Sequence, residues 1–156
     1  MVTAYFIDSS ALVKRYVAET GTGWIQAITA PSSRNQLIIA RITWVEVFSA
    51  LARREREGGL SSPGFARAMD AFRYDLDMQY QVVELDRTLA EAACQLVVMH
   101  PLRAYDAVQL ASAQRIQPAF ANAEDSVSLV FLSADDRLLA IAQTEGLRTD
   151  SPNRHP

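Results

Sequence analysis

Asp8, Glu46, Asp106 and Asp135 each stand at or just beyond an apolar stretch, where an α/β domain otherwise keeps hydrophobic side chains. Their contexts are AYFID (4–8), ITWVEVFSAL (42–51), LRAYDAVQLASA (102–113) and VFLSADDRLL (130–139). Two follow strand-like runs and two sit early in helical patterns. In a parallel sheet the carboxyl ends of the strands and the amino ends of the following helices share one edge, so the four carboxylates can converge there. Carboxylates within about 4–6 Å raise one another's pKa, and desolvation adds to this, unless a cation pairs with them. An all-oxygen set without Cys or His favours Mg²⁺ or Mn²⁺ over Zn²⁺, and such ions polarise phosphates.

Each acid also has a local alternative. Asp8 is a favourable cap for the helix that follows it. Thr43 and Glu46 fit a Thr-x-x-Glu capping box. Asp106 lies among small apolar residues, and Arg103, three positions earlier, is its nearest candidate ion-pair partner. Ser133 and Asp136 form a box-like cap, which leaves Asp135 for the pocket and Asp136 as its alternative. Single signals of this kind are weak; their joint placement carries the weight.

The elements that must position these acids alternate. Residues 3–8 read as a strand, followed by a helix capped by Ser9 or Ser10. A short helix over 22–29, a loop over 31–35 and a strand over 36–41 come next, then a helix from Thr43 to about Glu57 stopped by Gly58 and Gly59. Ser62 and Pro63 read as the cap and first turn of a further helix, whose Phe65, Met69, Phe72 and Leu76 fall at helical spacing. That stripe is either core or, with Val45, Phe48 and Ala52, an interface. A strand over 80–85, a helix from Asp86 to Met99, a helix over 103–116, a loop over 118–126, a strand over 128–133 and a helix over 134–145 follow. Residues 147–149 are read as a short edge strand and 150–156 as a frayed polar tail. The alternation predicts one α/β domain over 1–149, with a parallel central sheet flanked by helices on both faces.

A chain of 156 residues with 49% hydrophobic content supports one domain with a real core. Its apolar runs are broken well before a membrane span, and no cleavable leader is evident, which predicts a cytoplasmic protein without membrane attachment. The lone Cys94 sits in a helical pattern and is expected to be a buried thiol. A net charge of −3 is unusual for a nucleic-acid binder. Yet every basic residue except Lys14 is Arg, the better bidentate phosphate ligand, although genome composition can produce the same bias.

FIDSSALVKRYVAE, TWVEVFSAL, LRAYDAVQLASA and FLSADDRLLAIAQTEGL together resemble, over nearly the whole chain, the PIN-domain ribonucleases of the VapC toxin type. The resemblance implies a PIN-like fold and a Mg²⁺- or Mn²⁺-dependent endoribonuclease, with Asp8, Glu46, Asp106 and Asp135 as the metal-site acids. It implies a homodimer neutralised by a small antitoxin, through which alone DNA would be contacted. Water attack assisted by such ions predicts 5′-phosphate and 3′-hydroxyl products. Ser10 is expected to support the acids, and Lys14, Arg103 and Arg137 to meet RNA phosphates, while His100 and His155 are incidental. Aspartyl-phosphate hydrolases and receiver domains fit less well, since Ser10 stands where the former need a second Asp and Asp8-Ser9 lacks the paired acids of the latter. The remaining alternatives are an interaction module that binds an antitoxin without cutting RNA, and a PIN-fold nuclease outside any toxin pair.

Overall fold

The computed structural model describes residues 2–121 and 127–156. Five parallel strands form one sheet, β1 (Ala4–Ile7), β2 (Gln36–Ala40), β3 (Tyr80–Val83), β4 (Leu129–Leu132) and β5 (Arg148–Asp150), in the order β3-β2-β1-β4-β5. The helices are α1 (Ser9–Leu12), extended by a 3₁₀ turn over Val13–Arg15, α2 (Thr22–Thr29), α3 (Arg41–Arg56), α4 (Ser62–Met78), α5 (Arg87–Met99), α6 (Ala104–Ala121) and α7 (Asp136–Thr144).

The period-two pattern of the strands divides their side chains between two cores. Ala4, Phe6, Ile38, Ala40 and Phe131 pack with Leu89, Leu96, Leu110 and Leu138 of α5, α6 and α7. Ile7, Leu37, Ile39 and Leu132 pack on the other face with Leu12, Ile25, Val47, Leu51 and Phe72, from α1 to α4. The expected parallel sheet covered on both faces is therefore present. The chain builds β1, β2 and β3 to one side, then crosses to β4 beside β1 and on to β5. This makes the carboxyl end of β1 and β4 a switch point, the position at which open α/β sheets form a crevice.

Several local expectations are corrected. Helix α3 begins at Arg41 after Ala40, not at Thr43, because the buried Thr43 hydroxyl accepts from Gln109 Nε2 at 2.8 Å rather than capping backbone. Ser61, not Ser62, caps α4 by accepting from Gly64 N. Helix α6 runs on to Ala121 with Pro118 in its last turn, where the forfeited amide donor disturbs little of the helix. The expected loop over 118–126 is thus helical at its start, and 122–126 lie outside the described residues. Cys94 is exposed on α5 rather than buried. The inward face of α5 is already taken by Leu89, Ala93 and Leu96, and Cys94 falls beside it.

The stripe on α4 belongs to the core. Phe72 is fully buried, and Phe65, Met69, Leu76 and Phe48 pack around the same cluster, while Val45 stays exposed. Residues 151–156 are docked instead of frayed. Ser151 and Pro152 are buried, His155 stacks on Trp24 with ring centroids 4.1 Å apart, and His155 Nε2 lies 2.9 Å from Asp150 Oδ2. Gly21 makes this docking possible. It adopts φ of 86°, and a β-carbon there would lie 2.2 Å from the Pro152 carbonyl oxygen. Gly21→Ala is accordingly expected to cost about 1–3 kcal/mol from backbone strain alone, with the clash added to it. Gly146→Ala, at the same φ but with nothing within 4 Å, should cost only the strain. Thermal unfolding compares them, and equal shifts for the two would contradict the role given to Gly21.

Candidate active site

Asp8 follows β1 directly and is 3% exposed. Its Oδ1 accepts from Ala11 N at 2.9 Å and from Ser10 Oγ at 2.8 Å, and its Oδ2 accepts from Ser133 Oγ at 2.7 Å. Asp8 is thus the cap of α1, in place of Ser9 or Ser10, and it directly precedes Ser9 and Ser10, which line the groove. Burial pushes its pKa from the ordinary 3.8 up to about 6, against the lowering effect of Ser133, Ala11 and Ser10, with the nearby Glu46 charge adding to the rise.

Glu46 points from α3 toward the same crevice. Its Oε1 accepts from Gln109 Nε2 at 2.8 Å, and Ser9 lines the same groove beside it. The capping-box role predicted for Glu46 does not occur, because the helix starts a turn too early. Burial raises its pKa first, and the Asp106 charge raises it further. Asp106, in the first turn of α6, is likewise raised, by burial and then by Asp135, while Arg103 and Arg137 pull it down. Successive pairs from Asp8 to Glu46 to Asp106 to Asp135 therefore feel one another's charge, so the four predicted acids share one electrostatic neighbourhood.

Asp135 caps α7, its Oδ1 accepting from Arg137 N and Leu138 N. The box predicted for Ser133 and Asp136 does not form: the Ser133 hydroxyl donates to Asp8 and accepts from Asp135 N at 3.0 Å, and Asp135 takes the cap. Asp136 is largely exposed and faces Arg154 at 3.6 Å. The peptide at Ala134 is held by Ser10 Oγ, which accepts from Ala134 N, and by Asn153 Nδ2, which donates to Ala134 O.

A groove of about 710 Å³ runs past Ser9, Ser10, Glu46 and Tyr105, and a smaller hollow of about 140 Å³ holds Asp106 and Asp135. Arg103 borders both. Lys14 is buried and paired with Glu19 at 3.1 Å, and Arg54 joins the same carboxylate, so these two cations are committed within the protein. Arg103 and Arg137 lie against the acids instead.

Among the described residues, no three Asp, Glu, His or Cys side chains are grouped tightly enough to enclose one ion. The acids form an open series. That arrangement still fits Mg²⁺, which keeps several of its waters and needs only one or two protein carboxylates. The carboxyls raised by burial, and further by one another's charge, are also those that a divalent cation would relieve.

Gln109 and Ser133 were missed by the sequence reading. Gln109 lies three residues after Asp106, hence on the same face of α6, and that spacing was the available signal. It is 1% exposed and bridges Thr43 to Glu46. Gln109→Leu is expected to push the Glu46 pKa higher still, as seen by NMR titration of its carboxyl, and to cost about 1–3 kcal/mol by stranding buried polar groups. An unchanged Glu46 titration would show that Gln109 does not hold it.

Residues 5–143 match the family model described as PIN domain. The chain is 34% identical over 113 residues to Ribonuclease VapC45 of Mycobacterium tuberculosis strain CDC 1551 / Oshkosh, covering 72% of this chain and 76% of that protein. Ribonuclease VapC49 of M. tuberculosis strain H37Rv matches equally. Among solved structures, M. tuberculosis VapC20, a sarcin-ricin loop cleaving toxin, aligns with a TM-score of 0.63 at 17% identity over 88% of this chain and 94% of that one. A toxin-antitoxin complex from Klebsiella pneumoniae aligns at 0.61 and 18% identity, over 95% and 97%. The structural likenesses establish the fold.

Proposed function

The chain belongs to the PIN domain family, and from that membership we propose a Mg²⁺- or Mn²⁺-dependent endoribonuclease that serves as the toxin of a toxin-antitoxin pair. The observation that carries this reading is the placement of the acids at the switch point, Glu46 in the groove and Asp106 with Asp135 in the adjoining hollow, none of them in an ion pair with Lys or Arg among the described residues. The similarity to ribonucleases named VapC supports RNA as the substrate. The solved toxin-antitoxin complex with the same fold supports an antitoxin partner. A homodimer belongs to the same proposal.

One or two of the acids Asp8, Glu46, Asp106 and Asp135 at a time would hold an ion directly, with the others reaching it through water. When bound, it would supply positive charge to a phosphodiester oxygen and make a water more acidic. The chain's own groups do the rest. Ser10, Ser133 and the Ala11 amide fix the Asp8 carboxylate, and Gln109 fixes Glu46. Arg103 and Arg137 lie close enough to the acids to take the outer oxygens of a phosphate. No His base is needed. His100 is occupied with Glu145 at 2.5 Å and His155 with Asp150.

End-group analysis of the cut RNA tests this chemistry. Attack by water leaves 5′-phosphate and 3′-hydroxyl ends, whereas 2′,3′-cyclic phosphate ends would mean that the ribose hydroxyl attacks and that the proposal is wrong.

A further inference from the structure

Trp44 lies in the first turn of α3 and remains 39% exposed, although a Trp side chain is usually among the better-buried groups of a small domain. It walls a second hollow, of about 240 Å³, with Ile42, Val45, Leu85 and Arg41. Ile42 and Val45 also line the acidic groove, so the hollow opens directly beside Glu46. Val45, Leu85 and Tyr105 are 64%, 45% and 60% exposed. Tyr105 adjoins Asp106 in the chain and stands in the groove itself. An apolar, aromatic surface thus adjoins the groove that holds Glu46.

We infer that this hollow receives an unpaired nucleobase of the RNA strand, on the face of Trp44, next to the phosphate held at the acids. The inference rests on the ribonuclease reading. A strand with one phosphate at the acids must place a neighbouring base within a few ångströms, and the contiguous hollow is walled by an aromatic ring that any base can stack on. The Arg41 guanidinium sits over one face of the Trp44 ring, 5.5 Å from its centroid, with its Nε donating to Glu84 Oε2 at 2.9 Å, so the base takes the other face. Arg53 and Arg103 are exposed along the adjoining groove, in a chain whose net charge is −3. Cations gathered beside an aromatic hollow complement a polyanion carrying bases. An apolar protein segment would need none of them.

The test uses Asp106→Asn protein, so that RNA is not consumed, with two probes: a short mixed-sequence single-stranded RNA and the same ribose-phosphate chain lacking its bases. Binding of the RNA should quench tryptophan emission, and the quench should be missing in the added Trp44→Phe variant, in which Trp24 remains as the reporter. Trp44→Ala should weaken RNA binding roughly tenfold, within the range for base–aromatic stacking, while Trp44→Phe retains most of it. The advantage of the RNA over the baseless chain should shrink by a similar factor in Trp44→Ala. With Asp106 restored, the loss should fall on KM rather than on kcat. An undiminished preference for bases in Trp44→Ala overturns the inference. So does unchanged RNA binding together with lost self-association on a sizing column, which would make the hollow a protein interface. Failure of the underlying reading looks different: wild type would not cut RNA with any divalent metal, whatever Trp44 does.

Discussion

Asp8→Asn is expected to abolish RNA cleavage and, at the same time, to stabilise the metal-free protein above pH 6. Asp8 is buried, and its folded pKa of about 6 lies above the ordinary 3.8. A carboxyl raised in this way favours the fold fully below pH 3.8. That contribution is lost as pH climbs to and through about 6, because the unfolded chain gives up the proton first. The gap corresponds to about 3 kcal/mol, a large part of the stability of a domain this size. Asn removes the charge that burial opposes, and it keeps an acceptor for Ala11 N and Ser10 and gains a donor toward Ser133. Urea unfolding in EDTA at pH 5 and pH 7.5 tests this. Wild type should lose stability between the two, and the variant should lose much less, with Glu46 and Asp106 supplying the remaining slope in the same direction. Mg²⁺ or Mn²⁺ should restore wild type most at the higher pH, where the carboxylate it needs is ionised. Parallel pH slopes for wild type and variant would mean that Asp8 does not carry this cost.

Asp75→Ala should produce the largest loss of stability, about 3–5 kcal/mol, although the residue is remote from the acids. Asp75 on α4 is 8% exposed. Its Oδ2 accepts from Tyr16 OH at 2.7 Å and lies 3.3 Å from Arg15 Nη2. Arg15 also donates to Tyr80 OH at 2.7 Å, and the two tyrosine hydroxyls lie 2.5 Å apart. Burial raises the pKa of both phenols, so the network holds one carboxylate, one guanidinium and two neutral hydroxyls. Removing the carboxylate strands the Arg15 charge in the interior, where it costs more than the pair was worth. The turn after α1 would lose its tie to α4, and with it the support for Ser9 and Ser10. Chemical denaturation measures the effect. A loss under 1 kcal/mol would show that water reaches Arg15 freely.

The acids themselves were legible in the sequence because a carboxylate ending an apolar run is conspicuous and the strand-helix alternation fixes a shared edge. The same pattern gave the parallel sheet and its two covered faces. What sequence did not reveal were contacts between residues far apart in the chain. Thr43 looked like a helix cap because its partner, Gln109, lies 66 positions away. Ser133 looked like a cap for the same reason, with Asp8 taking its hydroxyl across 125 positions. Residues 151–156 read as loose by composition, yet Trp24, Gly21 and Asp150 hold them. The network around Asp75 was equally invisible, since Tyr16, Asp75 and Tyr80 carry no motif and meet only after α4 packs under β3. Local propensity placed the caps of α1, α4 and α5 to within a residue or two, but it missed the start of α3 after Ala40, where no side chain caps the helix.

The decisive experiment is cleavage of RNA by the purified protein, free of any antitoxin, in Mg²⁺ or Mn²⁺ and again in EDTA, with Asp106→Asn beside wild type. Wild type should give discrete fragments with either metal and none in EDTA, and Asp106→Asn should lose roughly a hundredfold or more, in line with what a metal ion contributes to phosphoryl transfer. Cutting that persists in EDTA or in Asp106→Asn would rule out a metal-dependent acidic site.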